Sequence, residues 1–376
     1  MGCSDQTPSV TLHRQRISDT LSVVALEKPS FSEYFITVAA LRGLTPEAAV
    51  ADIARFLHER NAAIVCQDVF ASVAVERPLC EAMHRHLGPT MWPLTWTDSG
   101  RQDLAGIQVW AVSNRSMQRL ALNGQTVAVV FEDACARYCR IAGVNAADLS
   151  ADRNTQAVEV FRLLEQTLGS TGFALSDTIR TWFYLNNILG WYGDFNRIRD
   201  DFFREKGVFD GLVPASTGIG TANAAGSAVV GGLIAVQPIN GAVESYPVVS
   251  PLQCPALDYG SSFSRAAELN MPCLRRIYVS GTASIAPEGH TLHVDDTDAQ
   301  IDKTMEVVNA ILESRRMSWS DVVRGIAYIR DAEDLPRYEQ YCRGKGLPDM
   351  PVVVTHSTVC RDDLLFEIEV DAIVPK

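Results

Sequence analysis

At 376 residues the chain has room for two or three domains of ordinary size, and 47% hydrophobic against 21% charged residues suits a full core rather than disorder. A net charge of -12 argues against nucleic acid or an anionic membrane as partner; an anionic small molecule would need arginines gathered in one cleft. Nine cysteines without framework spacing, no secretory leader core and no apolar run of spanning length point to reduced thiols in a cytoplasm.

In chain order, Met1-Gly2-Cys3 invites lipidation, but Gln6 stands where the myristoylation pattern has Ser or Thr. Thr45-Pro-Glu-Ala then opens a helix through Leu57, with Thr45 as N-cap and Pro46 at the first helical position. A turn at Asn61 leads into the strand AAIVCQDVF. His84 and His86 are two apart and diverge on a helix. Cys135 and Cys139 have helical i, i+4 spacing with no partner pair, so they pack or stay free thiols.

An internal repeat dominates the rest. QAVEVFRLLEQTLGSTGFALSDTIRTWFYL, from Gln156, aligns without a gap to QIDKTMEVVNAILESRRMSWSDVVRGIAYI, from Gln300. Arg180 meets Arg324, and Asp177 meets Asp321. Each copy reads as an amphipathic helix, with Met305, Val308, Ile311 and Leu312 on one apolar face of the second. A Ser-Asp turn and a β-run follow, then a second helix (around Asp194–Arg204 or Leu335–Cys342). Pro214 and Pro351 precede further extended segments, ending in AVVGGLIAV and DLLFEIEVDAIV. Ahead of the later copy, RRIYVSGTASI reads as a strand running into a Gly turn. The Thr45 segment repeats the same element order. The repeat is too long for a solenoid, so the expected fold is α+β: tandem closed units whose mixed β-sheets carry helices on one face. The expected units are 1–115, 116–250 and 251–376, divided at a linker in SYPVVSPLQCPALDYG, and they would form an intrachain pseudo-trimer, alone or within a homo-oligomer.

Four segments then carry a resemblance. They are Arg180-Thr-Trp-Phe-Tyr184 with FNRIRDDFF, PASTGIGT from Pro214, Tyr259-Gly-Ser-Ser-Phe-Ser-Arg-Ala266 leading to VSGTASI, and Cys360-Arg-Asp-Asp-Leu-Leu-Phe-Glu-Ile-Glu369. The βααβ-type order ending in E-I-E resembles the Rid superfamily, whose members place ligand sites between subunits. The ordered set resembles its chorismatase branch. The first 115 residues and the linker before Tyr259 lack that branch's pattern.

Glu367 and Glu369 alternate with Ile368 and so share one strand face. A buried carboxylate there must be paired or neutral, so each either fixes the sheet through an arginine or, desolvated, donates a proton. The region around Val230–Gly232 in the middle unit has no acid. The resemblance implies that Glu367 is the acid that protonates the enolpyruvyl methylene of chorismate. It implies that Cys360, otherwise a small core residue, steers the ring toward 3-hydroxybenzoate rather than a dihydroxycyclohexadiene carboxylate. A dianion needs cations or strong donors. Arg180, Arg199, Arg265, Tyr184 and Tyr259 are candidates, with Gly281 and Thr282 offering backbone N–H groups; Arg180, having a counterpart in Arg324, also suits a structural part. Arg197 and Arg199, two apart on a helix, cannot share a face. No metal or cofactor is expected, since H-E-x-x-H, paired C-x-x-C, Walker-A and G-x-S-x-G patterns are all missing. Two other readings stand beside the chorismatase one. A Rid-type imine deaminase would need an arginine where Val352-Val353-Val354 stands, and a non-catalytic small-ligand binder would need no acid at all.

Overall fold

The computed structural model describes residues 10–39, 44–100 and 103–376, which leaves the Met1-Gly2-Cys3 motif outside the described residues. The first unit contains β1 (Thr11–Arg16), β2 (Leu21–Lys28), β3 (Phe31–Ala39), α1 (Pro46–Glu59), β4 (Ala62–Ala71), α2 (Glu76–Leu87), β5 (Leu94–Thr97) and β6 (Leu104–Ser113). Thr45 caps α1 as its side chain predicts, accepting from the Ala48 amide at 3.2 Å, and Asn61 turns the chain into β4 from the left-handed region at φ 46°.

The second unit contains β7 (Gln118–Leu122), β8 (Gln125–Glu132), β9 (Ala136–Val144), α3 (Arg153–Ser170), β10 (Thr178–Leu185), α4 (Tyr192–Glu205), β11 (Ala215–Gly220) and β12 (Val229–Pro238). The third contains β13 (Glu244–Val248), β14 (Ala266–Asn270), β15 (Leu274–Ala283), α5 (Thr297–Ser314), β16 (Val322–Ile329), α6 (Leu335–Gly344), β17 (Val352–His356) and β18 (Phe366–Pro375). The three six-stranded sheets have one topology, β1-β2-β3-β6-β4-β5, β7-β8-β9-β12-β10-β11 and β13-β14-β15-β18-β16-β17. Within the sheets, among the described residues, only β4/β5, β10/β11 and β16/β17 pair in parallel, so each sheet is mixed, and the architecture is three tandem α+β units.

Why three units are needed is visible in the burial. Helices cover one face of each sheet with a separate apolar cluster: α1 and α2, α3 and α4, α5 and α6. The other faces meet in a shared core that takes Phe35 and Trp110 from the first unit, Trp182 and Tyr184 from the second, and Tyr278 and Tyr328 from the third. Central strands are therefore buried on both faces, β10 along its whole length. Polar side chains forced into that core must find partners. Glu33 on β3 takes Lys28 at 2.7 Å and both carboxylate oxygens take Arg276 of β15 at 3.0 Å, while Lys28 reaches Asp133 of the second unit at 2.8 Å. One charge cluster thus ties all three units together.

The structure departs from the sequence reading in three places. Sheet membership changes from second to third between Pro238 and Glu244, because the Ser245–Val248 part of the expected linker lies in β13. Its Pro247 is tolerated since β13 is an edge strand. Cys139 lies in β9 and Cys135 just ahead of it, so their spacing is not helical. Gly281 is no turn: β15 continues through it, with a register shift between Val279 and Thr282. Cys360 precedes β18 in a loop.

Candidate active site

Ile368 packs into the helix-side cluster of the third unit, which turns Glu367 and Glu369 to the opposite, inter-unit face. The two acids have different fates. Glu369 is fully buried and accepts from Arg180 Nη2 at 2.8 Å, Arg324 Nη1 at 2.8 Å and Trp182 Nε1 at 2.9 Å. Burial pushes its carboxyl up, but Arg180, Arg324 and the hydrogen bonds from Thr217 and Trp182 more than offset this and hold it below the usual range. It is a permanent anion, and Arg180 and Arg324 are its counter-ions.

Glu367 has no such clamp. It is buried, 4% exposed, at the wall of a cavity between the second and third units. Burial, followed by the repulsion of Glu369, raises its carboxyl to about 8 against the weaker pull of Arg180 and Arg265. At neutral pH it is mostly protonated.

The cavity encloses about 550 Å³ of non-atom space, open mouth included. From the second unit come Tyr192 and Arg199 of α4 with Ser216 and Gly218 of β11; from the third come Arg265, Gly281, Cys360, Arg361 and Glu367. The wall is sewn across the unit boundary: Gly281 N donates to Thr217 Oγ1 at 3.0 Å, Ser216 N to Ser280 Oγ at 2.9 Å, and Gly220 exchanges hydrogen bonds with Thr358 at 2.8 and 2.9 Å. Of the α4 pair, Arg197 is outside with Asp194 and Arg199 is inside, as their spacing requires. Arg199 is 1% exposed; one nitrogen donates to Asn196 at 2.9 Å, and its Nε has no hydrogen-bond partner among the described residues. Arg265 Nε donates to the Cys254 carbonyl at 3.0 Å, and Arg361 Nη1 to the Gly289 carbonyl at 2.7 Å. Three guanidinium groups therefore share the cavity with one protonated carboxyl, and no other acidic residue among the described ones lines it. Such a site attracts a ligand with more than one negative charge. Burial and the nearby Glu367 push the Cys360 thiol to about 12, so it is a neutral, non-nucleophilic wall group.

Of the residues singled out in the sequence, Glu367, Cys360, Arg199, Arg265 and Gly281 converge here. Three do not line the cavity. Arg180 is turned to Glu369 and Thr217. Tyr184 lies in the shared core with Tyr328, its hydroxyl pushed well up by burial and Glu369. Thr282 is fully buried and donates to Ser280 O at 2.8 Å, satisfying the bulged strand rather than a ligand. The side chain of Tyr259 lies outside the described residues. Arg361 was missed, although it stands beside Cys360 in the same C-R-D-D segment; Tyr192 and Ser216 gave no signal beyond their neighbourhood.

Strand register shows how special the site is. Glu367 sits opposite Tyr328, and the corresponding partners are Val230 opposite Tyr184 and Gly106 opposite Phe70. Val230 lines a larger opening between the first two units, beside Trp92 and Trp96. At Gly106 an added Cβ would lie 2.7 Å from a Val353 methyl, so the junction of first and third units is plugged. Among three equivalent positions, one holds an acid.

Residues 257–374 match the family described as endoribonuclease L-PSP. A 3-hydroxybenzoate synthase of Streptomyces hygroscopicus is 29% identical over 240 residues, taking in 56% of this chain and 66% of that protein. A chorismatase of Streptomyces rapamycinicus is 29% identical over 224 residues, 54% of this chain and 65% of the relative. Residues 257–374 are thus a Rid-type domain, and the chain is similar to chorismatases over a little more than half its length. The matched part spans a little under two-thirds of those relatives' length, 65–66%. A solved chorismatase structure shares this chain's fold, with TM-score 0.66 at 18% identity over 90% of this chain and 98% of the other. No helix among the described residues is long and apolar enough to cross a membrane.

Proposed function

We propose that this protein cleaves the enolpyruvyl ether of chorismate, with Glu367 as the proton donor. The observation that carries this reading is the protonated, buried Glu367 in one cavity with Arg199, Arg265 and Arg361. Chorismate is a dianion, and three cations facing a neutral acid suit it electrostatically. The names of the two relatives, 3-hydroxybenzoate synthase and chorismatase, lend the same reaction.

In the step proposed, the Glu367 proton adds to the terminal methylene carbon of the enol ether. The ether carbon becomes an oxocarbenium ion, and water or the substrate's own ring hydroxyl takes part in the displacement that releases pyruvate. The proton lost by that hydroxyl or water restores Glu367. With water consumed, the ring product is a dihydroxycyclohexadiene carboxylate; without it, atoms balance to 3-hydroxybenzoate plus pyruvate. Cys360, a neutral thiol on the cavity wall, suits the second outcome by keeping that part of the wall apolar. The arginines bind the two carboxylates, and Gly218 and Gly281 leave room for the ring. A protonated donor is required, so turnover is expected to fall as pH rises past about 8.

The test is direct: incubate the protein with chorismate, follow pyruvate with a coupled dehydrogenase, and identify the ring acid by chromatography. Pyruvate no greater than that of a Glu367→Gln control would remove the proposal. A diol as ring product would remove only the part assigned to Cys360. Gly281→Ala is a second probe, since its added Cβ would lie 2.0 Å from Glu367 Oε1 and must displace the carboxyl. A loss of about 100-fold in kcat/KM is expected, the scale set by misplacing a reacting group by an ångström. Wild-type kinetics in that variant would mean the observed pose of Glu367 is not the working one.

A further inference from the structure

The E-I-E strand carries a second acid that the proposed mechanism leaves unused. Glu369 stands opposite Ile326, and the corresponding positions are Gly232 opposite Trp182 and Gln108 opposite Asp68. Like Glu367, it is the sole acid of its equivalent set.

Its surroundings suggest a purpose other than sheet repair. Arg180 Nη2 divides itself between Glu369 Oε2 at 2.8 Å and Thr217 Oγ1 at 2.6 Å. Thr217 in turn accepts from Gly281 N, directly beneath the Glu367 carboxyl. The Nε and Nη1 of Arg180 are buried with no hydrogen-bond partner among the described residues. An arginine with two spare donors, near enough for its charge to act on the Glu367 carboxyl, is a ready counter-ion for it. What prevents that pairing is the stronger claim of Glu369, which also holds Arg324 and Trp182.

We propose that Glu369 is a positioning residue: by keeping Arg180 as its own counter-ion, it leaves Glu367 unpaired and able to carry the proton that the reaction needs. This rests on the reading of Glu367 as proton donor. The groups facing Glu367 are Glu369 on its own strand, Arg180 on β10, Arg199 and Tyr192 on α4, Arg265 ahead of β14, and Cys360 with Arg361 in the loop. Of these, Glu369 is the one fixed anion. Neutralising it removes the repulsion and releases Arg180 in a single stroke, and both changes favour an ionised Glu367.

The experiment titrates Glu367 without substrate. The infrared C=O stretch of its protonated carboxyl, identified by its loss in Glu367→Gln, is followed against pH in wild type, Glu369→Gln and Arg180→Gln. In Glu369→Gln the midpoint is expected to fall from about 8 to about 7 or below; in Arg180→Gln it is expected to rise. With chorismate, Glu369→Gln should then lose about fivefold in kcat near pH 8 and little near pH 6, the loss that a tenfold change in proton affinity produces. Glu369→Asp, which keeps the charge, should restore the midpoint. An unchanged midpoint in Glu369→Gln, with activity lost equally at all pH, overturns the proposal. Should that variant fail to fold, Arg180→Gln decides alone, since a fall in its midpoint overturns it too. If chorismate is not turned over but the infrared midpoints move as stated, the substrate reading fails and the role of Glu369 stands.

Discussion

Glu367→Gln is expected to abolish pyruvate release and, at alkaline pH, to make the protein more stable than wild type. The two effects have one cause. Folding takes the Glu367 carboxyl from its ordinary value of 4.5 to about 8, chiefly by burial and by repulsion from Glu369. A carboxyl whose value is raised on folding contributes stability that is fully present below 4.5 and is lost as pH rises through 8. Above that pH the folded protein must hold a poorly solvated anion, a penalty of up to about 5 kcal/mol at 1.36 kcal/mol per pH unit. Glutamine has nearly the same shape and cannot ionise, so its melting temperature should not show this alkaline decline. Thermal melts of both proteins between pH 5 and about 9.5 measure the difference curve directly. It should climb from pH 5 to about 8 and level off above, once Glu367 is ionised in the folded chain as well. A difference that is constant with pH would mean that Glu367 ionises as readily in the folded chain as in the unfolded one, and the proton-donor reading would lose its basis.

That a stabilising change should remove activity explains why the acid is found at only one of three equivalent positions. Val230 and Gly106 show what the same place looks like when nothing is asked of it: an apolar wall in one case and a plugged junction in the other. The sequence made part of this legible. The gapless alignment of Gln156–Leu185 with Gln300–Ile329 reported two units truly, because the helix faces and strands of α3/β10 and α5/β16 must bury equivalent surfaces. The first unit showed itself in element order alone, since its inner face differs: Cys66, Asp68 and Phe70 occupy the places of Arg324, Ile326 and Tyr328.

Inter-unit geometry was the part that no local pattern could disclose. Arg180 and Arg199 are both arginines in matched segments, but one is claimed by Glu369 across the unit boundary and the other is not. Val352–Val354 counted in the sequence only as a missing cation. In the structure Val353 is a filler that closes the junction at Gly106. Arg361 was readable as a neighbour of Cys360, but nothing in one dimension says that a loop ahead of β18 bends over the same space as α4.

The assembly of the units gives the other large expected effect. Glu33→Gln should destabilise the protein by about 3–5 kcal/mol, the usual result of removing one partner from a buried charge cluster. Glu33 is fully buried and answers to Lys28 of its own unit and Arg276 of the third, while Lys28 also answers to Asp133 of the second. Burial alone would raise its carboxyl, but Arg276 and Lys28 prevail and draw it down to about 2. A carboxyl lowered on folding contributes stability that is present above 4.5 and is lost as pH falls through 2, here about 3 kcal/mol. The variant leaves Lys28 and Arg276 as buried cations with one anion, Asp133, between them. Its defect should therefore be large at pH 7 and shrink as wild type is acidified below about 4. Urea unfolding at both pH values, followed by tryptophan fluorescence, measures this; one contributor, Trp110, donates from Nε1 to Glu33 at 3.1 Å. A loss under about 1 kcal/mol at pH 7 would show that the three units are held by their shared apolar core, with the charge cluster contributing little. The sign of this pH dependence is opposite to that of Glu367. The cluster joining the units is built to be ionised and the acid between them to be neutral, which places the pH of greatest stability between the two titrations.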